Sequence, residues 1–175
     1  MPDGNGFQRA MPEYDQLPGI GRGQIVTAED VMARNARLGK AVLLLDETAN
    51  WKGGGTALML AEAGHAVTIV TPAVNVMVEM ARTAADIQLR ARLRQLGVRL
   101  IVEAVVKEWL GDGARVQTSG GDEEFVAADT LVIAGTNQSN REIADELNAP
   151  AIGDAVAARN AAMAIYEGRK IAMGL

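Results

Sequence analysis

The chain has 175 residues, 49% of them hydrophobic, so it has enough apolar material for one domain with a real core and is not an intrinsically disordered chain. It has no cysteine and a single histidine, which excludes disulfides and cysteine-held iron–sulfur clusters within the chain and leaves little for a metal site. A formal net charge of −5 argues against nucleic acid and anionic membrane as partners; with no apolar run of membrane-spanning length and no signal-peptide pattern, a cytoplasmic protein is the expectation.

Met1–Gly23 is rich in Gly, Pro and polar residues and reads as an irregular N-terminal arm. Gln24–Val26 suits a short strand. Thr27 follows as a helix N-cap, with Glu29 and Asp30 in the first turn of a helix expected to run to about Leu38 and to end at Gly39. Ala41–Leu45 is apolar without alternation, the pattern of a strand buried on both faces. Gly53-Gly54-Gly55 reads as a break, Thr56–Ala63 as a helix stopped by Gly64, and Val67–Val70 as a second strand. Together they make a βαβ unit, the outline of a dinucleotide-binding half-domain.

Beyond Pro72 the pattern predicts a helix over Glu79–Leu96 and a strand over Val98–Val102. An antiparallel meander follows (Ala104–Leu110, Ala114–Thr118, Glu124–Ala127), with turns at Gly111-Asp112-Gly113 and Gly120-Gly121. Asp129–Ala134 is another buried strand, ending at Gly135. Arg141–Leu147 reads as a short helix and Ala155–Met173 as a long one. The fold class is therefore α/β: a Rossmann-like parallel sheet flanked by helices, with a small antiparallel β-meander. The expected division is an arm (1–23), a core (24–135) and a C-terminal segment (136–175).

A pyrophosphate loop needs G-x-G-x-x-G directly after the first strand, so that backbone N–H groups and a helix N-terminus face the phosphates. Here the strand runs into Asp46 and Glu47, and residues Thr48 to Trp51 precede the glycines. With Ala57 at the third glycine position, Gly54 takes the second and Lys52 the first. Carboxylates at the strand end repel a diphosphate unless turned away. The second strand ends in Thr71-Pro72, with no acid for a ribose hydroxyl and no arginine for a 2′-phosphate. The expectation is that the segment Asp46–Lys52 fills or narrows the crevice. Lys52 either faces an anion or is a solvated loop lysine, Trp51 either stacks on an adenine or flavin ring or else caps the sheet edge or packs against another domain, and His65 is a turn residue without a catalytic neighbour.

The tail AIGDAVAARNAAMAIYEGRKIA resembles the closing segment of flavoproteins with two dinucleotide folds, in which a strand ends in Gly-Asp. The strand DTLVIAGTNQSNREI resembles the stretch that returns such chains from the pyridine-nucleotide domain to the flavin domain. Read with DETANWKGGGTALMLAEAGHAVTIVTP, nearly the whole chain is similar to the C-terminal part of the trimethylamine dehydrogenase and dienoyl-CoA reductase family, the NADH:flavin oxidoreductases of old-yellow-enzyme type. The resemblance implies that the core is like a pyridine-nucleotide domain and that the tail is a flavin-domain remnant.

It further implies an N-terminal barrel with FMN and a 4Fe-4S cluster, and the first half of a flavin domain, all outside this chain. The chain is then a fragment or a separately encoded C-terminal subunit. Its partners would be the barrel and the flavin-domain half, in the same or a separate chain, with an electron-transfer partner and a homo-oligomer as further candidates. Gly153 and Asp154 match the family's flavin-ribityl position, and Gly135 the turn after the returning strand. Lys52, Gly53, Gly54 and Gly55 lie in the eroded pyrophosphate loop. FAD, ADP and NAD(P)H are candidate ligands, none expected to bind tightly to this chain alone, and the catalytic residues are expected outside it. The resemblance makes the chain a non-catalytic module of an amine dehydrogenase or enoyl reductase. Two alternatives stand beside it: an NAD(P)H-binding domain feeding a flavin, and an assembly module without ligand.

Overall fold

A computed structural model of the chain describes residues 4–174, which divide into a unit of residues 4–135 and a unit of residues 136–174. The first runs β1 (Gln24–Thr27), α1 (Ala28–Met32), β2 (Ala41–Asp46), α2 (Trp51–Glu62), β3 (Ala66–Val70), a 3₁₀ turn (Val78–Thr83), α3 (Ala85–Gln95), β4 (Arg99–Ile101), β5 (Ala104–Trp109), β6 (Gly113–Thr118), β7 (Glu123–Ala127) and β8 (Thr130–Ala134). The second holds α4 (Glu142–Glu146), a 3₁₀ turn (Gly153–Ala155) and α5 (Ala161–Ala172).

Five parallel strands form one sheet in the order β1-β8-β2-β3-β4, and β5-β6-β7 form a separate antiparallel sheet. β2 is central, with Leu43 level with Thr68 on one side and Leu131 on the other. Side chains alternate between its two faces, and both faces are covered, which explains why Ala41–Leu45 is apolar throughout. Leu43 and Leu45, with Leu131 and Ile133, pack against Val106, Trp109 and Val116 of the meander. Val42 and Leu44, with Ile69 and Val132, pack against Ala57, Leu60 and Leu93 of the helices. The unit is thus a meander, a parallel sheet and a helix layer.

Residues 4–23 contain no helix or strand, yet they are folded onto the meander. The Gln8 side chain pairs with both backbone groups of Val106: Nε2 donates to the carbonyl at 2.7 Å, and Oε1 accepts from the N–H at 2.9 Å. Leu17 is buried in the meander-side core, and the Trp109 indole donates to the Arg22 carbonyl at 2.7 Å.

Four predicted elements need correction. The first helix ends at Met32 rather than near Leu38, because Arg34 turns left-handed (φ 58°) and Asn35 N–H closes back on the Asp30 carbonyl. Thr27 does cap it, in a reciprocal capping box with Asp30. The triple glycine is not a break: Gly53, Gly54 and Gly55 lie in the first turns of α2, whose N-cap is Asn50. The helix expected over Glu79–Leu96 is split at Ala84 (φ 55°) into a 3₁₀ turn and α3. The long C-terminal helix starts only at Ala161, where Asn160 accepts the Met163 N–H.

Candidate functional site

In an open parallel sheet, ligands bind at the carboxyl ends of the strands where the chain direction of winding reverses. Here that point lies between β2, which leads on to β3 and β4, and β8, which lies beside β1. β2 ends at Asp46, paired with Ala134, and the Glu47 N–H donates to the Ala134 carbonyl at 3.1 Å.

The chain's own atoms fill this place. Lys52 reaches from the first turn of α2 to donate to the Gly135 carbonyl at 2.8 Å, and its ammonium is 2.6 Å from a Glu29 carboxylate oxygen. Asp46 is fully buried, and its Oδ1 accepts from the Thr48 N–H (3.0 Å), the Thr48 hydroxyl (2.8 Å) and the Ala49 N–H (3.0 Å). Its carboxyl lies against Gly53, where any Cβ would collide with it, and the thioether of buried Met77 lies against Gly54 in the same way. The glycines therefore serve close side-chain packing onto the helix rather than close approach of a phosphate. Two of the N–H groups at the start of α2 are also engaged: Lys52 N–H donates to Asn50 Oδ1 at 2.8 Å, and Gly54 N–H to the Asn50 carbonyl at 3.1 Å.

Burial is the main influence on both carboxyls of the strand end. It pushes Asp46 above its ordinary value, against the opposing bonds from Thr48 and Ala49 and the charge of Lys52. It pushes Glu47 up as well, against the Arg9 N–H and guanidinium, and the Asp46 charge adds to the rise. Asp46 Oδ2 and Glu47 Oε1 are buried with no hydrogen-bond partner among the described residues.

Beside the filled crevice, at the ends of β2 and β3, lies an open cavity of about 380 Å³ lined by Arg9, Glu47, Thr48, Thr71, Pro72 and Glu79, among others. Among the described residues no group of three or more His, Asp and Glu could hold a metal ion, and no helix is long and apolar enough to cross a membrane.

The family model described as "Pyridine nucleotide-disulphide oxidoreductase" matches residues 52–164, more than half of the chain. The chain belongs to that family. Among solved structures it is similar to 6-hydroxypseudooxynicotine amine oxidase from Pseudomonas geniculata N1, at 26% identity and TM-score 0.85, over 96% of this chain and 26% of that one. It shares its fold with histamine dehydrogenase from Rhizobium sp. 4-9, at 23% identity and TM-score 0.83, over 98% of this chain and 28% of that one. A flavoprotein disulfide reductase from Escherichia coli aligns at 25% identity and TM-score 0.59, over 76% of this chain and 29% of that one. The chain spans between 26% and 29% of the length of these proteins. No curated protein matches it in sequence. The α/β class read from the sequence, a parallel sheet flanked by helices with a small antiparallel sheet, is the observed fold of this family member.

Of the candidate residues, the structure brings Lys52, Gly53, Gly54 and Gly135 together at the strand ends, while Gly55 has open space beside it. Gly153 and Asp154 belong to the 136–174 unit. Gly153 is buried at φ 60°, and its N–H donates to Glu167 at 2.7 Å; Asp154 is exposed and accepts the Arg159 N–H at 3.3 Å. Within the inserted segment Trp51 is exposed, and His65 Nδ1 lies 2.8 Å from the Gly39 carbonyl oxygen. The sequence reading missed Glu29 and Met77, which are distant in sequence from the glycines and carry no motif. It also missed Asn50, although an Asn ahead of a helix is a legible N-cap.

Proposed function

We propose that this chain is a non-catalytic dinucleotide-fold module of a flavin-dependent oxidoreductase of the amine-dehydrogenase or enoyl-reductase type. The observation that carries the reading is Lys52. Its ammonium, held between Glu29 and the Gly135 carbonyl, occupies the crevice in which the pyrophosphate of a bound dinucleotide would lie. The likeness to the P. geniculata amine oxidase over nearly the whole chain supports the choice of enzyme type. On this reading FMN and an iron–sulfur cluster belong to parts of the enzyme outside the chain. Gly153 and Asp154 would supply one edge of a flavin site, and the rest would come from the other half of a flavin domain, in the same or a separate chain.

A second reading, assembly, draws on the 136–174 unit, where Ile143, Leu147, Ile165, Tyr166 and Met173 are all exposed. Such side chains suit a surface that another domain covers.

The test is a thermal-shift titration with NADH, NADPH, ADP and FAD in turn. A ligand at about a hundred times its Kd stabilises a fold by roughly 2.7 kcal/mol, a shift that is easily read. The expected result is no shift with NADH or NADPH. A clear shift with either would replace the proposal with an NAD(P)H-binding domain that feeds electrons to a flavin.

A further inference from the structure

We infer that the cavity at the ends of β2 and β3 is a binding site for a small organic cation, an alkylammonium or alkylguanidinium, held by Glu47 with Glu79 beside it. The cavity measures about 380 Å³ and shares Ala10 and Pro72 with a neighbouring one of about 440 Å³. Each falls within the range of ligand sites and is far larger than the roughly 30 Å³ that one water occupies in the liquid.

Glu47 decides the ligand's charge. Its side chain is 2% exposed, and its Oε2 accepts the Arg9 N–H at 3.2 Å. Oε1 is buried without a partner, although the residue lines an open cavity. A desolvated carboxylate oxygen left bare is costly, and a donor carrying positive charge is its strongest remedy. Arg9 does not serve: its guanidinium donates to the Glu47 carbonyl at 2.8 Å, lies 3.9 Å from Oε2, and is largely exposed.

Glu79 lines the same cavity and Glu103 the adjoining one, so carboxylates outnumber Arg9 around the two. That balance disfavours nucleotide phosphate. A metal ion is disfavoured too, since the described residues offer no group of ligands for one. An ammonium or guanidinium would supply the donor that Glu47 lacks, and Pro72 and Val78 are among the apolar lining that a short alkyl stem would meet.

The experiment uses the full chain, ¹⁵N-labelled, titrated at constant ionic strength with n-butylammonium chloride, with n-butylguanidinium chloride and with AMP. Saturable shifts at the Thr48, Ala49 and Ala73 amides are expected with at least one of the two cations and not with AMP. Glu47→Gln should weaken binding at least tenfold. Affinity should rise with pH as Glu47 ionises, a titration set by its burial and by Arg9 and Asp46 next to it, with Glu79 the other carboxyl of the lining. If Glu47→Gln does not fold, the exposed Glu79→Gln decides: a severalfold weakening supports the site and an unchanged affinity overturns it. Absence of saturation with both cations, equal shifts with AMP, or an unaffected Glu47→Gln variant would also overturn it. Binding of NADH in the thermal-shift test would sink the proposed function and leave this inference standing, because the cation site uses Glu47 and not Lys52.

Discussion

The ammonium of Lys52 stands 2.8 Å from the carbonyl oxygen of Gly135, across the carboxyl ends of the neighbouring strands β2 and β8. The residue at the first glycine position of the fingerprint thus ties together the two sides of the crevice that the fingerprint normally opens. Lys52→Met keeps the alkyl stem and removes the charge. Glu29 Oε1 then loses its cation while Oε2 already has no partner, and the Gly135 carbonyl loses a donor. A loss of about 1–3 kcal/mol is expected in urea unfolding. NADH binding should not appear, because Asp46 and Met77 still cover Gly53 and Gly54. A variant as stable as the parent would show that the Lys52 tie contributes nothing to the fold, and one that binds NADH would show that Lys52 alone closes the crevice and that Asp46 and Met77 do not.

The three consecutive glycines in the first turns of α2 separate sharply in alanine substitution. Gly in a helix interior costs about 1 kcal/mol relative to Ala, so Gly55→Ala, with open space beside it, should raise stability by up to that amount. Gly53→Ala drives a methyl into the Asp46 carboxyl, which three donors from Thr48 and Ala49 hold in place. Gly54→Ala drives one into buried Met77. Both should lower stability, by about 1–3 kcal/mol, with Gly53→Ala the worse because a methionine can shift and an anchored carboxyl cannot. Urea midpoints of the three variants give the order directly.

The unbroken apolar runs that define the centre of the sheet were legible because they are local. Ala41–Leu45 and Asp129–Ala134 announce themselves as doubly covered strands, and the Gly-Asp-Gly and Gly-Gly turns announce the meander. What escaped the sequence depends on partners far along the chain. Gly53–Gly55 looked like a loop because glycine disfavours helices, but Asn50 caps the turn and side chains from Asp46 and Met77 need the missing Cβ atoms. The break at Ala84 has neither glycine nor proline to mark it. Glu29 became part of the site only through the fold, which brings α1 beside α2.

The docking of residues 4–23 is equally non-local, and Gln8 is its sharpest test. One amide satisfies the backbone N–H and C=O of Val106, 98 residues away, in a buried setting. Gln8→Leu leaves both groups bare while nearly preserving volume. A loss of about 2–4 kcal/mol is expected, with the m-value unchanged if the segment stays docked. A loss below about 0.5 kcal/mol would mean that water reaches Val106 and that residues 4–23 are only lightly attached.

The strand-end carboxyls make stability depend on pH in a direction opposite to the usual acidic surface. Burial lifts Asp46 above its ordinary value and outweighs the bonds from Thr48 and Ala49. The folded carboxyl therefore keeps its proton at pH values where the unfolded one, near about 3.9, has lost it. In that window the folded state binds more protons, so the free energy of unfolding falls as pH rises from the unfolded value through the folded one, and is level above it. Glu47, also raised by burial, adds a change of the same sign. Asp46→Asn retains an oxygen for the Thr48 and Ala49 donors and removes the proton linkage. The variant's stability relative to the parent should thus improve as pH rises above about 4 and level off once the folded carboxyl has ionised, read as the difference between two series of urea unfolding curves. A difference that does not change with pH would mean that Asp46 is ionised throughout, stabilised by the Thr48 and Ala49 donors and the Lys52 charge more strongly than burial opposes it.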